Sequence, residues 1–459
     1  MGLRDLYIAA IYAAFFVIGP TTPFVFTLGY LWVDTFYPQY VSPLLGEIGS
    51  TSLVMAAAAL GSYVVLDRRS PPKFSFHTFL TLIFAGWCTL SIVWAELPDD
   101  AWVKWDWAFK VLMFAAFLPL VLRSRVQIEA FLLVFLFAAS VHMLAPGLKT
   151  MLSGSGYGRQ LGVLLVNAGA GLTESSYLSA ASIAFIPIIL YLRKHSILIP
   201  KSRLRDLGAL ALVVVAVFAA MSTYARTALV GFAVVGVFLW LQSRQKVLFT
   251  VCALAVGIGA LAMTADSWNE RIETTEDYNT EGSALGRILV WKWTLNYVMD
   301  NPLGGGFQSF LVNRIEYPST NGEAPMVVYG KAFHNIFIEV LGEQGFPGLA
   351  MYVTLILLSL GYMWGIIRRT RDQPHLLWAH DLAGALMTSL LTIIACGCFI
   401  GIAYQAMVWY LITIPVCLSG YLHRVEQLEN GAGESTWTAR SGRPAMPAGA
   451  RPAAARMAR

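Results

Sequence analysis

The feature that most constrains this chain is a succession of apolar runs, each about as long as a bilayer is thick. The hydrocarbon core of a membrane is about 30 Å thick and takes about 20 apolar residues in a helix. Such runs lie at approximately 48–66, 77–95, 106–122, 127–145, 175–192, 206–222, 225–242, 246–264, 345–367, 381–400 and 402–421. In lipid the backbone amides of a lone segment find partners only within that segment, which favours helices. The sequence therefore predicts an all-α, polytopic membrane protein.

The composition supports this class and excludes others. Of the 459 residues, 57% are hydrophobic and only 13% are charged, whereas soluble domains carry about 25% charged residues. This excludes a soluble globular enzyme, and a disordered or collagen-like chain would need low hydrophobicity or a strict glycine period. Residues 5–37 add one or two spans, because Pro20 and Pro23 interrupt a run too long for one helix. About twelve transmembrane helices are expected, and the opening MGLRDLYIAA is interpreted as a retained anchor.

The basic residues indicate the orientation, because short cytoplasmic loops collect Lys and Arg. Alternate connections carry Arg68, Arg69 and Lys73; Arg123 and Arg125; Arg193, Lys194, Lys201, Arg203 and Arg205; Arg244 and Lys246; and Arg368, Arg369 and Arg371. The other connections are acidic or nearly uncharged. This pattern predicts that residues 265–344 lie outside, in the periplasm of a bacterial inner membrane, with the C-terminus in the cytoplasm. The net charge of +5 is explained by this topology, and no nucleic-acid partner is expected.

The chain is predicted to have four regions. They are an N-terminal transmembrane bundle (1–264), a periplasmic segment (265–344), C-terminal transmembrane helices (345–422) and a disordered cytoplasmic tail (423–459). The tail is rich in Gly, Ala and Pro from Glu429 onward, and contact of its arginines with anionic lipid is the alternative to a merely solvated tail. All five cysteines lie in apolar runs and are interpreted as packing residues. The periplasmic segment is the large polar region, so it is expected to carry the active site.

Arg226 is the most informative single residue in the sequence. It is the one charge between Asp206 and Arg244, and it falls on the outer side, where the positive-inside tendency does not explain it. Ser222 and Thr223 are candidate caps of the helix that follows, which would place Arg226 in a first turn whose free amides also favour an anion. The structural alternative is an interfacial arginine that reaches lipid headgroups.

A helix is predicted over 283–300, where apolar residues recur at helical spacing. Arg287 shares a face with Trp291, and with Trp293 nearby this helix is expected to lie on the membrane surface. The glycines at 304–306 are interpreted as a turn rather than a phosphate cradle, because no Lys-Ser or Lys-Thr pair follows them. Taken alone, Arg287 is an ordinary surface residue.

A polar His-Asn pair opens the run HNIFIEVLGEQGFPG, which is apolar and predicted to be helical as it leads into the next span. On its own, His334 is better explained as a structural residue at the membrane interface. Only its combination with Arg226 and Arg287 indicates a functional site. The outer segment contains neither a DxD pair nor clustered carboxylates with His at ligand spacing, so no metal site is predicted.

Three stretches carry a family resemblance: STYARTALVG at 222–231, GRILVWKWTLNYVMDNPLGGGF at 286–307 and FHNIFIEVLGEQGFPGL at 333–349. They resemble the signatures of the O-antigen ligase and polymerase superfamily. The opening MGLRDLY and the stretch GLTESSYLSAASIAFIPIILYL at 171–192 are more similar to the O-glycosylation ligases associated with exosortase systems.

This resemblance implies a multi-spanning glycosyltransferase with a GT-C-like fold that works without metal or other cofactor. It implies transfer of a glycan from a polyprenyl (undecaprenyl) diphosphate carrier to an acceptor hydroxyl. Carried over by position, Arg226 and Arg287 would bind the diphosphate and His334 would serve the acceptor. Asn335, Glu174 and Tyr224 complete the predicted substrate-binding set.

The chemistry of these residue types agrees with the implied roles. Guanidinium groups match the charge that a diphosphate gains as it leaves. An imidazole with a pKa of about 6.5 is suited to take a proton from the attacking hydroxyl, and direct attack would invert the anomeric carbon. Glu174, Glu339 and Glu343 are other candidate bases, although Glu174 is equally well explained as a helix-start carboxylate.

The acceptor stays open at this stage. Ligases that modify lipid A core, polymerases that extend the glycan and oligosaccharyltransferases that modify protein hydroxyls share these signatures. A glycolipid transporter is the alternative from another class, because it would hold the same diphosphate without chemistry. Transport predicts that function survives loss of His334, and transfer predicts that it does not.

Overall fold

The computed structural model describes residues 2–42, 44–45, 50–69, 72, 74–154, 172, 174–242, 245–247, 250, 254, 257–258, 280–317 and 326–440. The side chains of 242, 280–284 and 429–440 are not included in that description. The helices are α1 (Leu3–Ile18), α2 (Phe24–Phe36), α3 (Pro38–Val41), α4 (Thr51–Leu66), α5 (Phe76–Leu90), α6 (Pro98–Val121), α7 (Arg125–Ser153), α8 (Ser175–His195), α9 (Arg203–Ser222), α10 (Thr227–Gln242), α11 (Thr280–Asp300), α12 (Ile336–Thr370), α13 (Leu377–Gly397) and α14 (Ala406–Arg440). Short 3₁₀ turns lie at Ser91–Trp94, Ser309–Val312 and Pro374–Leu376.

The described part of the chain has the all-α, multi-pass architecture that the sequence predicts. Seven of its helices are long and apolar enough to cross a membrane, and α2, α4 and α10 are shorter apolar helices. The expected break at Pro20 and Pro23 separates α1 from α2. The predicted span at 106–122 is the second half of α6, which starts earlier, at Pro98. The predicted span at 246–264 lies mostly outside the described residues.

Local capping explains where several helices begin. The hydroxyls of Ser75, Ser124 and Ser202 accept hydrogen bonds from amides of the first turns of α5, α7 and α9, at 3.0, 3.2 and 3.1 Å. A side-chain oxygen at this position satisfies one of the amides that a helix start leaves without a partner. The polar residues between the apolar runs therefore define helix ends as well as topology.

Helices α8, α13 and α14 form the centre of the bundle. The spans within α8 and α14 are 83% and 78% buried, against 33% for α9. The Tyr410 ring of α14 packs against the rings of Phe131 and Phe135 of α7 at centroid distances of 5.5 and 5.4 Å. Ser389 of α13 donates a hydrogen bond to the Ala184 carbonyl of α8, at 2.7 Å.

The outer segment packs onto α12 through backbone contacts. Gly345 interrupts α12 with φ 67°, so a short first part, which we call the α12 entry segment (residues 336–344), precedes the long membrane helix. The amides of Gly305 and Gly306 donate to the carbonyls of Gly342 and Glu343, both at 2.9 Å, and the Phe346 amide donates to the Pro302 carbonyl at 3.0 Å. This backbone seam joins the end of α11 to the middle of α12.

A small hairpin covers the other end of α11. Strands β1 (Arg314–Tyr317) and β2 (Met326–Tyr329) pair antiparallel, with Arg314 opposite Tyr329, and β1 packs on α11. Gly286 permits this approach, because a Cβ there would overlap the Tyr317 hydroxyl and the Lys331 ammonium.

The C-terminal helix is longer than the sequence predicts. A disordered tail is predicted over 423–459, but α14 continues as a helix to Arg440. The apolar part of this helix ends near Leu428, and Arg424, Glu426 and Gln427 just before it are good helix formers that favour continuation of the helix. Residues 441–459 lie outside the described part.

Candidate active site

Arg226 lies in the tight turn between α9 and α10, one residue before α10 begins. Its carbonyl accepts a hydrogen bond from the Leu229 amide at 3.2 Å, and its side chain is exposed. The predicted capping by Ser222 is wrong, because the Ser222 hydroxyl donates back to the Ala219 carbonyl of its own helix, at 2.6 Å.

Thr223 holds this turn together rather than capping α10. Its hydroxyl donates to the Ala220 carbonyl at 2.8 Å and accepts from the Ala225 amide at 3.1 Å. Arg226 is therefore held at the mouth of α10 by a turn built from the end of α9, and not within the first helical turn as predicted. It still lies at the start of α10, where the helix dipole favours an anion.

Arg287 lies on α11, which extends from Thr280 to Asp300 and so includes the predicted helix. Its side chain is partly buried. One turn later, the Trp291 indole donates a hydrogen bond to the Phe333 carbonyl at 2.9 Å. This bond ties the helix that carries Arg287 to the residue that precedes His334.

His334 has a left-handed backbone with φ 48°. This torsion turns the chain sharply just before α12, and Asn335 caps the helix by accepting from the amides of Phe337 and Ile338 at 2.9 and 3.3 Å. The predicted helical run after the His-Asn pair is confirmed as the α12 entry segment. The imidazole is exposed at the outer end of that segment.

Arg287 lies within electrostatic range of both Arg226 and His334. Desolvation, followed by repulsion from Arg226, lowers the pKa of Arg287. Desolvation, followed by repulsion from Arg287 and Lys331, lowers the pKa of His334, while attraction to Glu174 opposes this shift. Arg287 on α11 thus links the Arg226 turn to the His334 turn. Within the described residues, neither arginine has a carboxylate within salt-bridge distance.

The remaining predicted residues are placed as follows. Glu174 caps α8 by accepting hydrogen bonds from the amides of Ser176 and Tyr177 at 3.0 and 2.6 Å, as expected for a helix-start carboxylate. Its carboxylate also attracts a positive charge on His334. Tyr224 lies in the Arg226 turn with φ 50°. The side-chain amide oxygen of Asn335 accepts the two capping hydrogen bonds of α12.

The glycines at 304–306 form a turn, as predicted. Their role is close backbone contact, because the Gly305 and Gly306 amides are bonded to α12 and would not be available to a phosphate. A Cβ at Gly304 would lie 2.5 Å from the Gly345 amide nitrogen. Glycine is therefore required here by packing rather than by a ligand.

A buried ionic cluster beside the site was missed by the sequence argument. Lys104 of α6 donates to Glu339 at 2.7 Å and to Glu343 at 2.8 Å. Both glutamates were candidate bases, and the structure gives them a cation as partner. The available signal was a basic residue at an acidic outer helix start together with two glutamates four residues apart, but only the fold brings them together.

No group of three His, Cys, Asp or Glu side chains suited to a metal ion occurs among the residues that the structure describes. The prediction of metal-independent chemistry stays a prediction.

Two family models match this chain. Residues 3–197 match a family of unknown function (DUF5935). No curated protein sequence matches the chain. Residues 210–353, which contain the Arg226 turn, α11 and His334, match the family described as O-antigen ligase, and this part of the chain is therefore similar to the O-antigen ligase superfamily.

Proposed function

We propose that this chain is a glycosyltransferase that moves a glycan from a polyprenyl diphosphate carrier to an acceptor hydroxyl. The family match supports a membrane enzyme of glycan transfer. The observation that carries the finer proposal is the approach of Arg226 to Arg287, with His334 next to Arg287. Two like charges held together, with no carboxylate between them among the described residues, are suited to a dianionic group such as a diphosphate.

The proposed reaction uses these side chains in two roles. The guanidinium groups of Arg226 and Arg287 bind the diphosphate and stabilise the negative charge that develops on it as the anomeric bond breaks. The His334 imidazole takes the proton of the acceptor hydroxyl as that oxygen attacks the anomeric carbon. One displacement of this kind inverts the anomeric configuration. The two arginines supply the positive charge that a divalent ion supplies in other glycosyltransferases.

The proposed reaction needs no metal ion, and chelation tests this directly. We expect transfer activity to persist in EDTA, because the cationic groups belong to the protein. The measurement is product formed by the purified enzyme before and after chelation, with Mg²⁺ added back as the control. A strict requirement for added Mg²⁺ would contradict the two-arginine account.

The decisive experiment is reconstitution of the purified chain in liposomes with a synthetic polyprenyl-diphosphate disaccharide. Candidate acceptors are a lipid A core, a glycan and a Ser/Thr peptide, and mass spectrometry identifies which one gains the disaccharide. Transfer to any of them supports the enzyme, and the acceptor distinguishes ligase, polymerase and protein O-oligosaccharyltransferase. Movement of the donor across the bilayer without transfer to any acceptor would support the transporter instead.

The proposed location is a bacterial inner membrane with the site on the periplasmic side and the C-terminus in the cytoplasm. The basic connections support this orientation, because Arg69, Arg123, Arg193 and Arg369 all lie at helix ends opposite to the Arg226 turn. A lipid-linked donor would reach the site from the outer leaflet.

A further inference from the structure

Lys104, Glu339 and Glu343 form an ionic cluster, which we call the Lys104 cluster. All three residues are buried, with exposures of 6%, 6% and 0%. The Lys104 ammonium donates to Glu339 Oε1 at 2.7 Å and to Glu343 Oε1 at 2.8 Å, and it lies over the Tyr404 ring at 4.9 Å from the centroid. One cation thus joins two carboxylates that would otherwise repel each other one helical turn apart.

The cluster connects four parts of the chain. Glu339 Oε2 accepts a hydrogen bond from the Ala403 amide at 3.1 Å, in the loop before α14. Glu343 Oε1 accepts from the Gln308 amide at 3.0 Å, just after the glycine turn. With Lys104 on α6 and both glutamates on the α12 entry segment, the position of that segment is fixed from three sides.

The two glutamates are used differently. Both oxygens of Glu339 have a donor, Lys104 for one and Ala403 for the other. Glu343 Oε2 has no hydrogen-bond partner, although it is fully buried. In Glu343→Gln, the amide NH₂ can replace Oε2, which has no partner, so that every existing hydrogen bond is kept. In Glu339→Gln, the NH₂ must replace an oxygen that accepts from Lys104 or from the Ala403 amide, so that two donors face each other.

A buried ionic cluster contributes little net stability to a fold. The desolvation penalty is several kcal/mol per ion and is largely offset by the attraction between the charges, and apolar replacements of buried ion pairs are often at least as stable. What an ionic cluster adds is a defined geometry. Defined geometry matters in the α12 entry segment because His334 and Asn335, the residue that caps α12, lie at its start. The Glu339 amide donates to the Asn335 carbonyl at 2.8 Å.

We propose that Glu339, held by Lys104, is a positioning residue that fixes the His334 turn and contributes to the electrostatic field at the imidazole. This rests on the proposed role of His334 as the base. The groups that face His334 are Arg287 from α11, Lys331 from the segment after β2, Glu174 from the start of α8 and Glu339 from α12. Glu339 is the one among them that the buried cluster holds in place.

The test compares Glu339→Gln with Glu343→Gln in the full-length enzyme, using the polyprenyl-diphosphate disaccharide and the acceptor that supports turnover. Each variant removes one carboxylate from the same cluster. For Glu339→Gln we expect kcat to fall about tenfold or more through misplacement of the base, with KM for the donor within about twofold. We also expect activity to persist to a pH lower by about 0.3 unit or more, because loss of a nearby negative charge lowers the pKa of His334.

Glu343→Gln is the matched control, and we expect its kcat within about threefold of wild type and its pH profile unchanged. If the two variants behave alike in kcat and pH profile, the cluster is only structural and the proposal is wrong. Should Glu339→Gln fail to fold, Glu339→Met removes the same carboxylate without placing an amide NH₂ against a donor, and Lys104 keeps Glu343 as its partner. Its pH profile must then show the same shift to lower pH, and an unshifted profile would overturn the proposal.

One further variant separates this proposal from the proposed function. If His334→Ala retains full transfer, His334 is not the base and the proposed mechanism fails. If His334→Ala is inactive while Glu339→Gln matches wild type, only the positioning role of Glu339 fails.

Discussion

At the scale of single residues, two side chains of the site stand on strained backbone. Tyr224 and His334 have φ values of 50° and 48°, in the left-handed region that side chains other than glycine seldom adopt. Such torsions cost about 1–3 kcal/mol and persist only where the surrounding structure enforces them, which is common at functional sites. Tyr224 lies two residues before Arg226 in the same turn, and His334 lies immediately before the residue that caps α12. The strained residues therefore shape the two turns that carry Arg226 and His334.

The pH dependence of transfer should report His334. A general base must be neutral, and desolvation together with repulsion from Arg287 lowers the pKa of His334 below the usual 6.5. The imidazole therefore stays neutral at pH values where an ordinary histidine is half protonated. We expect the acid limb of kcat/KM against pH to lie below 6.5 and His334→Ala to abolish transfer at every pH. A limb above 6.5 would assign the base to another group.

The two arginines should not tolerate replacement by lysine. Lysine keeps the charge but loses the planar fork that binds two phosphate oxygens. For Arg226→Lys and Arg287→Lys we expect kcat/KM for the donor to fall about tenfold or more, equivalent to about 1.4 kcal/mol of transition-state stabilisation.

Arg314→Lys provides the control for this pair. Arg314 is an exposed arginine on β1 whose partner is Glu316 at 2.8 Å, so its replacement should leave donor use unchanged. Equal activity of Arg226→Lys and Arg314→Lys would mean that Arg226 is only a membrane anchor.

At the scale of elements, apolar length and capping residues predicted most helices. The break at Pro20 and Pro23, the α11 helix and the start of α12 at Asn335 all follow from local sequence. The local signals failed where a residue had two possible partners. Ser222 has the right residue type for a cap, but α10 begins five residues later, at Thr227, and the Ser222 hydroxyl donates to the Ala219 carbonyl of its own helix instead.

The glycine that interrupts α12 offers a test at this scale. A Cβ at Gly345 would lie 2.6 Å from the Gly304 amide nitrogen and would require a positive φ. We expect Gly345→Ala to destabilise the protein by about 1–3 kcal/mol. We also expect it to reduce transfer, because the backbone seam holds the end of α11 against α12. The measurement is the melting temperature in detergent, followed by the transfer assay.

Gly361 in the same helix gives the matched control. A Cβ there meets nothing within 4 Å, so Gly361→Ala should be neutral or stabilise the helix by up to about 1 kcal/mol. If Gly345→Ala is as stable as Gly361→Ala, the seam does not determine the fold of the α12 entry segment.

At the scale of the whole molecule, the contacts that could not be predicted are those between distant parts of the chain. Lys104 and Glu339 are 235 positions apart in sequence, and nothing in the sequence around either residue identifies the other as its partner. Length and hydropathy define spans, but many arrangements of the same spans would satisfy them. The buried cluster is decided by which helices pack together, and that information is not local.

The predicted topology is open to a direct test by labelling. Tyr329 on β2 and Arg371 after α12 are both exposed and are expected on opposite sides of the membrane. In intact spheroplasts, an impermeant maleimide should label Tyr329→Cys, and Arg371→Cys only after permeabilisation. The native Cys88, Cys396 and Cys417 are buried, whereas Cys398 is partly exposed. The labelling background is therefore the double variant Cys252→Ser with Cys398→Ser. Labelling in the reverse order would invert the proposed orientation.

The backbone seam between the glycine turn and Gly345 also bears on how a long-chain carrier enters and leaves. Because main-chain atoms of the two segments touch without side chains between them, this edge of the candidate site has little room to move. Arg226, by contrast, lies on a short connection between two helices, of which α9 is the less buried span. If the proposed donor is correct, we expect the spent polyprenyl diphosphate to leave on the Arg226 side.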